Sequence, residues 1–471
     1  MDTKKLRQKI LDLAIHGKLV PQDPNDEPAS VLLERIKVEK EQLIKEGKIK
    51  RSRKSAKTSD TPHYEQVKLE VPNSWYMVSV SDLFLLNPKS ELDDNMKVGF
   101  IPMALVEDGF SGNHFYEERT WKDVKRGYCH FQNGDIGIAK ISPCFENRKS
   151  TIFKNLPNTY GAGTTELVIL RPIKVYTKFY LYLFKSDWYI KEGTKYFKGV
   201  VGQQRVHKEI FTDLHIPLPP FAEQQRIVEE IEYWFALIDQ IEQDKSDLQT
   251  AIRQTKSKIL DLAIHGKLVL QNPNDEPASE LLKRINPKAE ITCDNGHYPV
   301  GWIDVILGDI FYHNTGKALN SSNKEGVLRN YLTTSNVYWN QFDLSLVKQM
   351  PFRDNELEKC TVQKGDLLVC EGGDVGRSAI WNFDYNICIQ NHIHRLRPKG
   401  DLNVSFYYYV LRFLKEHNRI GGKGIGLLGL SSNELHKIGM PLLPRKEQDR
   451  IVLKIEELFS VLDNIENALE A

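Results

Sequence analysis

One stretch of this chain occurs twice. Residues 9–36 and 258–285 are identical at 24 of 28 positions, with a constant offset of 249. A second pair, residues 216–228 and 440–452, repeats at an offset of 224. The chain therefore consists of a first repeated segment, a variable segment and a second repeated segment, followed by another copy of the same three segments in the same order. A repeat of half the chain length indicates duplicated domains, because solenoid repeats recur about every 20 to 50 residues.

The two offsets also relate the ends of the chain to its middle. Asp247 lies 224 positions before Ala471, and Thr250 lies 249 positions after Met1. The last segment followed by the first therefore matches the continuous central stretch, with two positions missing. We expect a pseudo-twofold, circularly arranged molecule whose chain ends are adjacent.

The repeated segments carry an apolar stripe with the spacing of a coiled coil. Apolar residues recur at alternating intervals of four and three along the central copy, and the split copy carries the same stripe. This period of 3.5 residues is typical of a coiled-coil seam. The predicted seam comprises Ile227, Ile231, Trp234, Ile238, Ile241, Leu248, Ile252, Ile259, Leu262, Ile451, Ile455, Leu458, Leu462, Ile465, Leu6, Ile10 and Leu13.

Start and stop signals bound these helices. Prolines precede each stripe, and Gly17 and Gly266 follow it. The central helix should therefore run from about Phe221 to His265, and the pseudo-twofold symmetry would make the two long helices antiparallel. The alternative is an ordinary amphipathic helix packed on a globular core.

The two variable halves share a skeleton with little shared sequence. Each begins with a Pro-x-x-Trp motif, which aligns Trp75 with Trp302. Each then carries a Gly-Asp dipeptide followed by an apolar strand (133–144 and 364–376). Short β-branched runs bounded by Gly, Pro and Asn follow. We expect an α+β fold with two domains of short strands and helices, separated by a long antiparallel two-helix coiled-coil spacer. Divergence in their loops suggests two different ligands.

Composition excludes several classes of protein. The 471 residues carry 64 Lys and Arg against 63 Asp and Glu, and the six cysteines form no C-x-x-C pair. No apolar run approaches the roughly 18 residues of a membrane span. We therefore expect a cytoplasmic chain with free thiols and no membrane partner.

Catalytic motifs are also missing from the sequence. There is no phosphate-binding G-x-x-x-x-G-K-[ST] loop, and the glycine-rich tract 421–426 does not follow a strand as a cofactor turn would. His16 and His265 have no neighbouring nucleophile and are interpreted as capping or packing residues. We expect a chain that is not an enzyme, with no catalytic residue, no metal site and no cofactor of its own.

A local basic segment lies between Arg35 and Lys57. It holds ten Lys or Arg against three Glu. Such a segment could follow DNA phosphates, since neutralising them releases counterions. The alternative is a solvated linker without a fixed partner.

The doubled motifs LDLAIHGKLVPQ and LDLAIHGKLVLQ, together with PLPP-x-x-EQ-x-RIV and PLLP-x-x-EQ-x-RIV, closely resemble the specificity subunit of type I restriction-modification systems. The resemblance covers essentially the whole chain. It implies two target recognition domains, each reading one half of a split, asymmetric sequence in double-stranded DNA. It also implies that the conserved helices dock two methyltransferase subunits. Those partners would methylate adenine N6 with S-adenosylmethionine, and two further restriction subunits would use ATP with magnesium.

The resemblance and the repeats together predict five segments. They are an N-terminal repeat with the basic linker (1–62), a first target recognition domain (63–215), a central conserved region (216–296), a second target recognition domain (297–438) and a C-terminal conserved region (439–471). Because the domains are separated by a spacer, the target should contain a gap that is spanned without being read, and a palindrome is not expected.

Base reading requires polar side chains, chiefly Arg, Lys, Asn and Gln, on loops that reach a groove. For each candidate a surface polar role or a phosphate contact is the alternative. The candidates of the first half are Lys140, Ser142, Asn147, Arg148, Lys149, Gln203, Gln204, Arg205 and His207. Those of the second half are Thr333, Thr334, Asn336, Arg377, Gln390, Asn391, His392, Lys423, Ser431 and Asn433.

Two other functions fit the sequence less well. One is a coiled-coil scaffold whose variable halves bind proteins. The other is a self-sufficient DNA methyltransferase or nuclease, for which the cofactor motifs are missing.

Overall fold

The structure is a computed structural model that describes residues 2–47, 69–195, 197–199, 204–289, 298–319, 325–420 and 430–470. It contains two compact units, an N-terminal unit (Asp2–Asp244) and a C-terminal unit (Lys245–Ala471). Each unit is described by itself. Among the described residues, no helix combines the length and the apolar content that crossing a membrane would require.

The N-terminal unit mixes short strands with helices. Its helices are α1 (Thr3–Ile15), α2 (Ala29–Lys45), α3 (Val80–Leu83), α4 (Trp121–Val124), α5 (Thr177–Lys185), α6 (Asp187–Thr194) and the first part of α7 (Phe221–Ile264). Its strands are β1 (Tyr76–Ser79), β2 (Phe84–Leu86), β3 (Lys97–Ile101), β4 (Glu117–Thr120), β5 (Cys129–Gln132), β6 (Ile136–Ala139), β7 (Ser150–Ile152), β8 (Tyr160–Gly163), β9 (Leu167–Pro172) and β10 (His215–Leu218).

The C-terminal unit begins within α7 and has a similar make-up. Its further helices are α8 (Ala278–Ile285), α9 (Leu307–Ile310), α10 (Asp354–Cys360), α11 (Val404–Glu416), α12 (Ser432–His436) and α13 (Arg445–Glu470). Its strands are β11 (Ile303–Ile306), β12 (Phe311–Thr315), β13 (Val327–Leu332), β14 (Val337–Tyr338), β15 (Gln341–Phe342), β16 (Lys348–Phe352), β17 (Thr361–Val362), β18 (Leu367–Cys370), β19 (Ser378–Ile380), β20 (Ile387–Ile389), β21 (Ile393–Pro398) and β22 (Gly439–Leu442).

Both units contain two four-stranded sheets with the same strand order. The orders are β2-β9-β6-β7 and β4-β3-β8-β5 in the N-terminal unit, and β12-β21-β18-β19 and β16-β13-β20-β17 in the C-terminal unit. In the second sheet of each, one pair is parallel, namely β3 with β8 and β13 with β20. A two-stranded pair, β1 with β10 or β11 with β22, completes the match. The prediction that the variable halves share an α+β fold is confirmed.

The Gly-Asp dipeptide that precedes β6 places a buried aspartate beside an arginine of the neighbouring strand. Gly134 has a φ of 91°, a conformation that favours glycine. Asp135 is buried, and its carboxylate accepts hydrogen bonds from Nε and Nη2 of Arg171 at 2.9 and 2.8 Å. Asp366 and Arg397 repeat this pair at 2.8 and 2.6 Å in the C-terminal unit. The aspartate–arginine pair therefore joins neighbouring strands of the first sheet in each unit.

A buried hydrogen bond joins the start of each long helix to the variable sequence. The indole Nε1 of Trp75 donates to Glu223 at 3.0 Å, and Trp302 donates to Glu447 at 3.1 Å. Burial raises the pKa of both carboxyl groups, and the tryptophan bond partly offsets this effect. The repeated Pro-x-x-Trp and Glu-Gln motifs thus contact each other within each unit.

The glutamine after each of these carboxylates satisfies backbone groups. The Gln224 side chain accepts from the backbone N–H of Tyr176 at 2.9 Å and donates to the carbonyl of Pro219 at 2.9 Å. Gln448 makes the equivalent two bonds, at 2.8 and 2.9 Å. We call Trp75, Glu223 and Gln224, and likewise Trp302, Glu447 and Gln448, the helix-start clamp.

Ion pairs on the repeated helices follow the two offsets. Arg7 of α1 donates to Asp239 and Glu242 of α7 at 2.7 and 3.0 Å. Lys256, which lies 249 positions after Arg7, pairs with two carboxylates of α13 at 2.6 and 2.9 Å. The C-terminal segment therefore packs on α7 in the C-terminal unit as α1 does in the N-terminal unit.

The predicted limits of α7 agree with the structure to within one residue, whereas the coiled-coil pairing through the predicted seam stays a prediction. Five seam residues are exposed, namely Trp234, Ile241, Leu248, Ile465 and Leu6. The buried face of α7 in the N-terminal unit is formed by Ile227, Val228, Ile231, Phe235 and Ile238. This face follows the period of 3.6 residues, because the helix packs on the core of its own unit. The alternative of an amphipathic helix on a globular core describes this part of α7.

The helix-start clamp predicts a local stability effect. Gln224→Leu removes the partners of the Tyr176 N–H and the Pro219 carbonyl, which should cost about 2 to 4 kcal/mol in the free energy of unfolding. Gln225→Leu is the matched control, since Gln225 is exposed and should change this free energy by less than about 0.5 kcal/mol. Urea unfolding followed by tryptophan fluorescence measures both. Equal stability of the two variants would refute the role given to Gln224.

Candidate nucleic-acid interface

A polar surface lies at the end of β6 in the N-terminal unit. Beyond this strand the backbone N–H of Lys140 donates to the carbonyl of Glu166 at 2.9 Å, and the N–H of Val206 donates to the carbonyl of Lys140 at 2.8 Å. Three separate segments are thereby brought together. We call this surface the polar edge of the N-terminal unit, and its side chains are those of Lys140, Glu166, Gln204 and Arg205.

The C-terminal unit has an equivalent surface at the end of β18. The N–H of Glu371 donates to the carbonyl of His392 at 3.0 Å, and the N–H of Leu430 donates to the carbonyl of Glu371 at 2.9 Å. These bonds repeat the pattern of the N-terminal unit. The polar edge of the C-terminal unit carries Glu371, Gln390, Asn391, His392 and Ser431.

An exposed ion pair occupies the N-terminal polar edge. Nε and Nη2 of Arg205 donate to the Glu166 carboxylate at 3.0 and 2.8 Å, and 48% of the arginine side chain is exposed. The hydrogen bond from Arg205 lowers the pKa of Glu166, and the nearby charge of Lys140 adds to this effect. Two cations therefore share one carboxylate, so the edge has an excess of positive charge.

The C-terminal polar edge carries a histidine held by a carboxylate. Nδ1 of His392 lies 3.0 Å from Glu371 Oε2, and 55% of the histidine side chain is exposed. An ionised carboxylate only accepts hydrogen bonds, so the proton of a neutral ring is on Nδ1. The other ring nitrogen is then a hydrogen-bond acceptor.

Other candidates lie close to the two edges. Ser142 donates its hydroxyl to Glu146 at 2.6 Å, and its N–H donates to the Gln204 carbonyl at 2.8 Å. Asn147 is exposed, and His207 is half-buried 3.5 Å from Glu209. Ser431 caps α12, in which Asn433 is exposed.

Two candidates of the first half have internal roles. Arg148 has 12% of its side chain exposed, and its guanidinium donates to the Lys185 carbonyl at 3.0 Å and pairs with Asp187. Lys149 donates to the Val106 carbonyl at 2.8 Å. These bonds hold the loop after β6 against the unit, so we leave both residues out of the proposed reading set.

Internal bonds also hold four candidates of the second half. Thr333 and Asn336 are buried and joined at 2.9 Å, and Asn336 further donates to two backbone carbonyls. Arg377 donates to the Thr334 carbonyl at 2.6 Å and stacks on the Tyr338 ring. Thr333, Asn336 and Arg377 therefore hold the turn after β13, in which Thr334 takes part through its carbonyl.

Some predictions lie outside the described residues. They concern Gln203, Lys423, the glycine-rich tract 421–426 and residues 48–57 of the basic segment. Two residues at the polar edges were not among the candidates, namely Glu166 and Glu371. Both lie beside the end or the start of a strand, which was a usable signal, but a carboxylate is not among the Arg, Lys, Asn and Gln side chains on which the prediction was based.

The repeated histidines contact the backbone of their own helices. Nδ1 of His16 lies 2.7 Å from the Asp12 carbonyl, and Nδ1 of His265 lies 2.7 Å from that of Asp261. This geometry agrees with the interpretation of capping residues. Within the described ranges, no group of three or more His, Cys, Asp or Glu side chains could hold a metal ion.

A comparison with protein families identifies the family of this chain. A family model described as "Type I restriction modification DNA specificity domain" matches residues 72–250 and 299–471, more than half of the chain. The chain belongs to this family. The prediction of a specificity subunit that has no catalytic activity of its own is thereby confirmed.

Relatives of this specificity subunit match nearly its whole length. The type I restriction enzyme EcoAI specificity subunit of Escherichia coli is 33% identical over 98% of this chain and 90% of its own. The EcoEI specificity subunit of Escherichia coli is 32% identical over 99% of this chain and 91% of its own.

Solved structures share the fold. A chain from a type I R-M system complex superimposes with a TM-score of 0.61 at 18% identity, covering 85% of this chain and 93% of its own. The HsdS subunit from Thermoanaerobacter tengcongensis gives 0.54 at 18% identity, covering 86% and 95%.

The internal arginine Arg148 and the edge arginine Arg205 predict stability losses of different size. Arg148→Ala removes a nearly buried guanidinium and strands the groups bonded to it, which should lower the free energy of unfolding by about 1.5 to 3 kcal/mol. Arg205→Ala removes an exposed pair and should cost less than about 1 kcal/mol. Urea unfolding of the two variants measures this difference, and a larger loss for Arg205→Ala would contradict the assignment.

Proposed function

We propose that this specificity subunit reads a bipartite, asymmetric, gapped sequence in double-stranded DNA, with one half-site for each unit. The observation that carries the proposal is the pair of polar edges. The same strand order and the same backbone hydrogen bonds present Lys140, Glu166 and Arg205 in one unit and Glu371 and His392 in the other. One backbone geometry with different polar groups suits two different half-sites.

The segments 63–215 and 297–438 are the proposed target recognition domains. Each includes one polar edge, and the bases between the two half-sites would be spanned without being read. Base contacts specify the target, whereas contacts with phosphates position the protein. The basic residues from Arg35 onward are proposed to add phosphate contacts.

The repeated helices are proposed to dock two copies of an adenine-N6 methyltransferase subunit. Exposed apolar residues occur at equivalent positions of α7 and α13, namely Leu237 with Val461 and Ile241 with Ile465. Apolar residues that remain exposed at both copies suit a partner that binds twice. An antiparallel pairing of the long helices and a circular arrangement of the chain belong to the same proposal.

The chemistry would be supplied by those partners. The methyltransferase subunits would bring S-adenosylmethionine, and any restriction subunits would bring ATP and magnesium. The assembled complex would act on DNA in the cytoplasm. If the chain transferred labelled methyl groups from S-adenosylmethionine to DNA without any partner, the self-sufficient enzyme would replace this proposal.

Exchange of one domain tests the modular reading. We expect that replacing residues 63–215 with the matching segment of a relative that has another target changes one half-site and leaves the other intact. Sequencing of methylated adenines after co-expression with the methyltransferase subunit measures both half-sites. A change in both would contradict the assignment of one unit to each.

Salt dependence separates DNA recognition from a protein-binding scaffold. In complex with the methyltransferase subunit, affinity for the target should fall steeply between 50 and 200 mM salt, by roughly 10³-fold or more if six or more phosphates are contacted. Competition with unrelated DNA is the control for sequence preference. Equal competition by unrelated DNA would favour the scaffold.

A further inference from the structure

We propose that Arg205 and His392 each read one base, and that the carboxylates of Glu166 and Glu371 orient them. The N-terminal unit would then read guanine through hydrogen-bond donors. The C-terminal unit would read the amino group of cytosine or adenine through a hydrogen-bond acceptor. This inference rests on the proposed function and names the side chains that distinguish the two half-sites.

The Arg205 guanidinium bonds to Glu166 through one edge, and no residue that the structure describes bonds to its other edge. Its Nε and Nη2 bond to Glu166 at 3.0 and 2.8 Å. Nη1 and the second hydrogen of Nη2 form the other edge of the same planar fork. Two parallel donors of this kind match guanine O6 and N7, the commonest specific arginine contact in the major groove. Because Glu166 fixes the plane of the fork, less side-chain freedom is lost on binding.

The His392 ring has the opposite character. Its Nδ1 lies 3.0 Å from the Glu371 carboxylate, which can only accept. In the neutral ring the carboxylate therefore holds the proton on Nδ1 and leaves a lone pair on Nε2. A lone pair accepts from the amino groups of cytosine N4 or adenine N6, and guanine offers neither in the major groove.

The two side chains belong to the same surface of the shared fold. Glu166 and His392 follow the equivalent strands β8 and β20, and the carbonyl of each accepts from the N–H of the residue that follows β6 or β18. Both units thus pair one carboxylate with one exposed nitrogen side chain at this surface. Arg205 would donate hydrogen bonds to DNA, whereas His392 would accept one from DNA. This difference accounts physically for an asymmetric target.

The test compares the methylated sequence of variants made in the full chain and co-expressed with the methyltransferase subunit in cells that lack adenine methylation. Arg205→Ala should relax one guanine position of one half-site, with discrimination against the other bases falling by roughly 5- to 150-fold. His392→Ala should relax one cytosine or adenine position of the other half-site. In each case the remaining half-site should stay unchanged.

Two exposed pairs provide matched controls. Arg119 has 48% of its side chain exposed, as Arg205 has, and pairs with Glu117 at 2.6 Å on the edge strand β4. Lys364 pairs with Asp384 at 2.6 Å in the C-terminal unit. Arg119→Ala and Lys364→Ala should leave every position of the methylated sequence as it is in the parent.

A chemical probe checks the predicted atoms. DNA with 7-deazaguanine at the relaxed position lacks the N7 acceptor. The parent complex should therefore bind this DNA more weakly than normal DNA. The Arg205→Ala complex should bind both DNAs equally. Glu166→Gln keeps Arg205 but weakens its orientation, and should reduce discrimination at the same position only.

Several results would overturn the inference while leaving the proposed function intact. They are a bipartite target that is unchanged by Arg205→Ala and His392→Ala, a relaxed position in the N-terminal half-site that is not guanine, or equal effects of Arg119→Ala. A parent complex without a bipartite target would instead refute the proposed function itself.

Discussion

The rest of the structure depends on a buried polar contact, the helix-start clamp. A carboxylate that is buried at the start of a long helix accepts the hydrogen bond of a tryptophan, and the next glutamine satisfies two backbone groups. Buried polar groups are costly when they lose their partners. This cost explains why the Glu-Gln pair and the tryptophan occur in both halves while the intervening sequence differs.

Much of the fold could be predicted because the chain contains its own comparison. The repeats gave the limits of α7 to within one residue and aligned Trp75 with Trp302, which occupy the same position in their units. The strand order could not be predicted, since β3 and β8 are separated by about 60 residues and their pairing depends on long-range contacts. The apolar stripe predicted the long helix but not which of its residues pack on the core of a unit, because periods of 3.5 and 3.6 residues differ little over a few turns.

The candidate site was predicted less well, for a reason that particular residues illustrate. Lys140 and Arg148 both follow the Gly-Asp strand, but Lys140 lies at the polar edge whereas Arg148 is bonded within its unit. Sequence position cannot separate these cases, because Asp187 and the Lys185 carbonyl come from distant segments. Glu166 was not predicted because a base-reading pattern selects the groups that can touch a base and not the partners of those groups.

The central claim is that this one chain determines a split target whose halves differ. Sequencing methylated adenines in the source genome, with the chain present and with its coding sequence deleted, tests that claim most directly. The account predicts methylation at a gapped sequence with two unlike halves, and loss of that methylation on deletion. A continuous or palindromic methylated sequence that depends on the chain, or methylation that persists without it, would contradict the account.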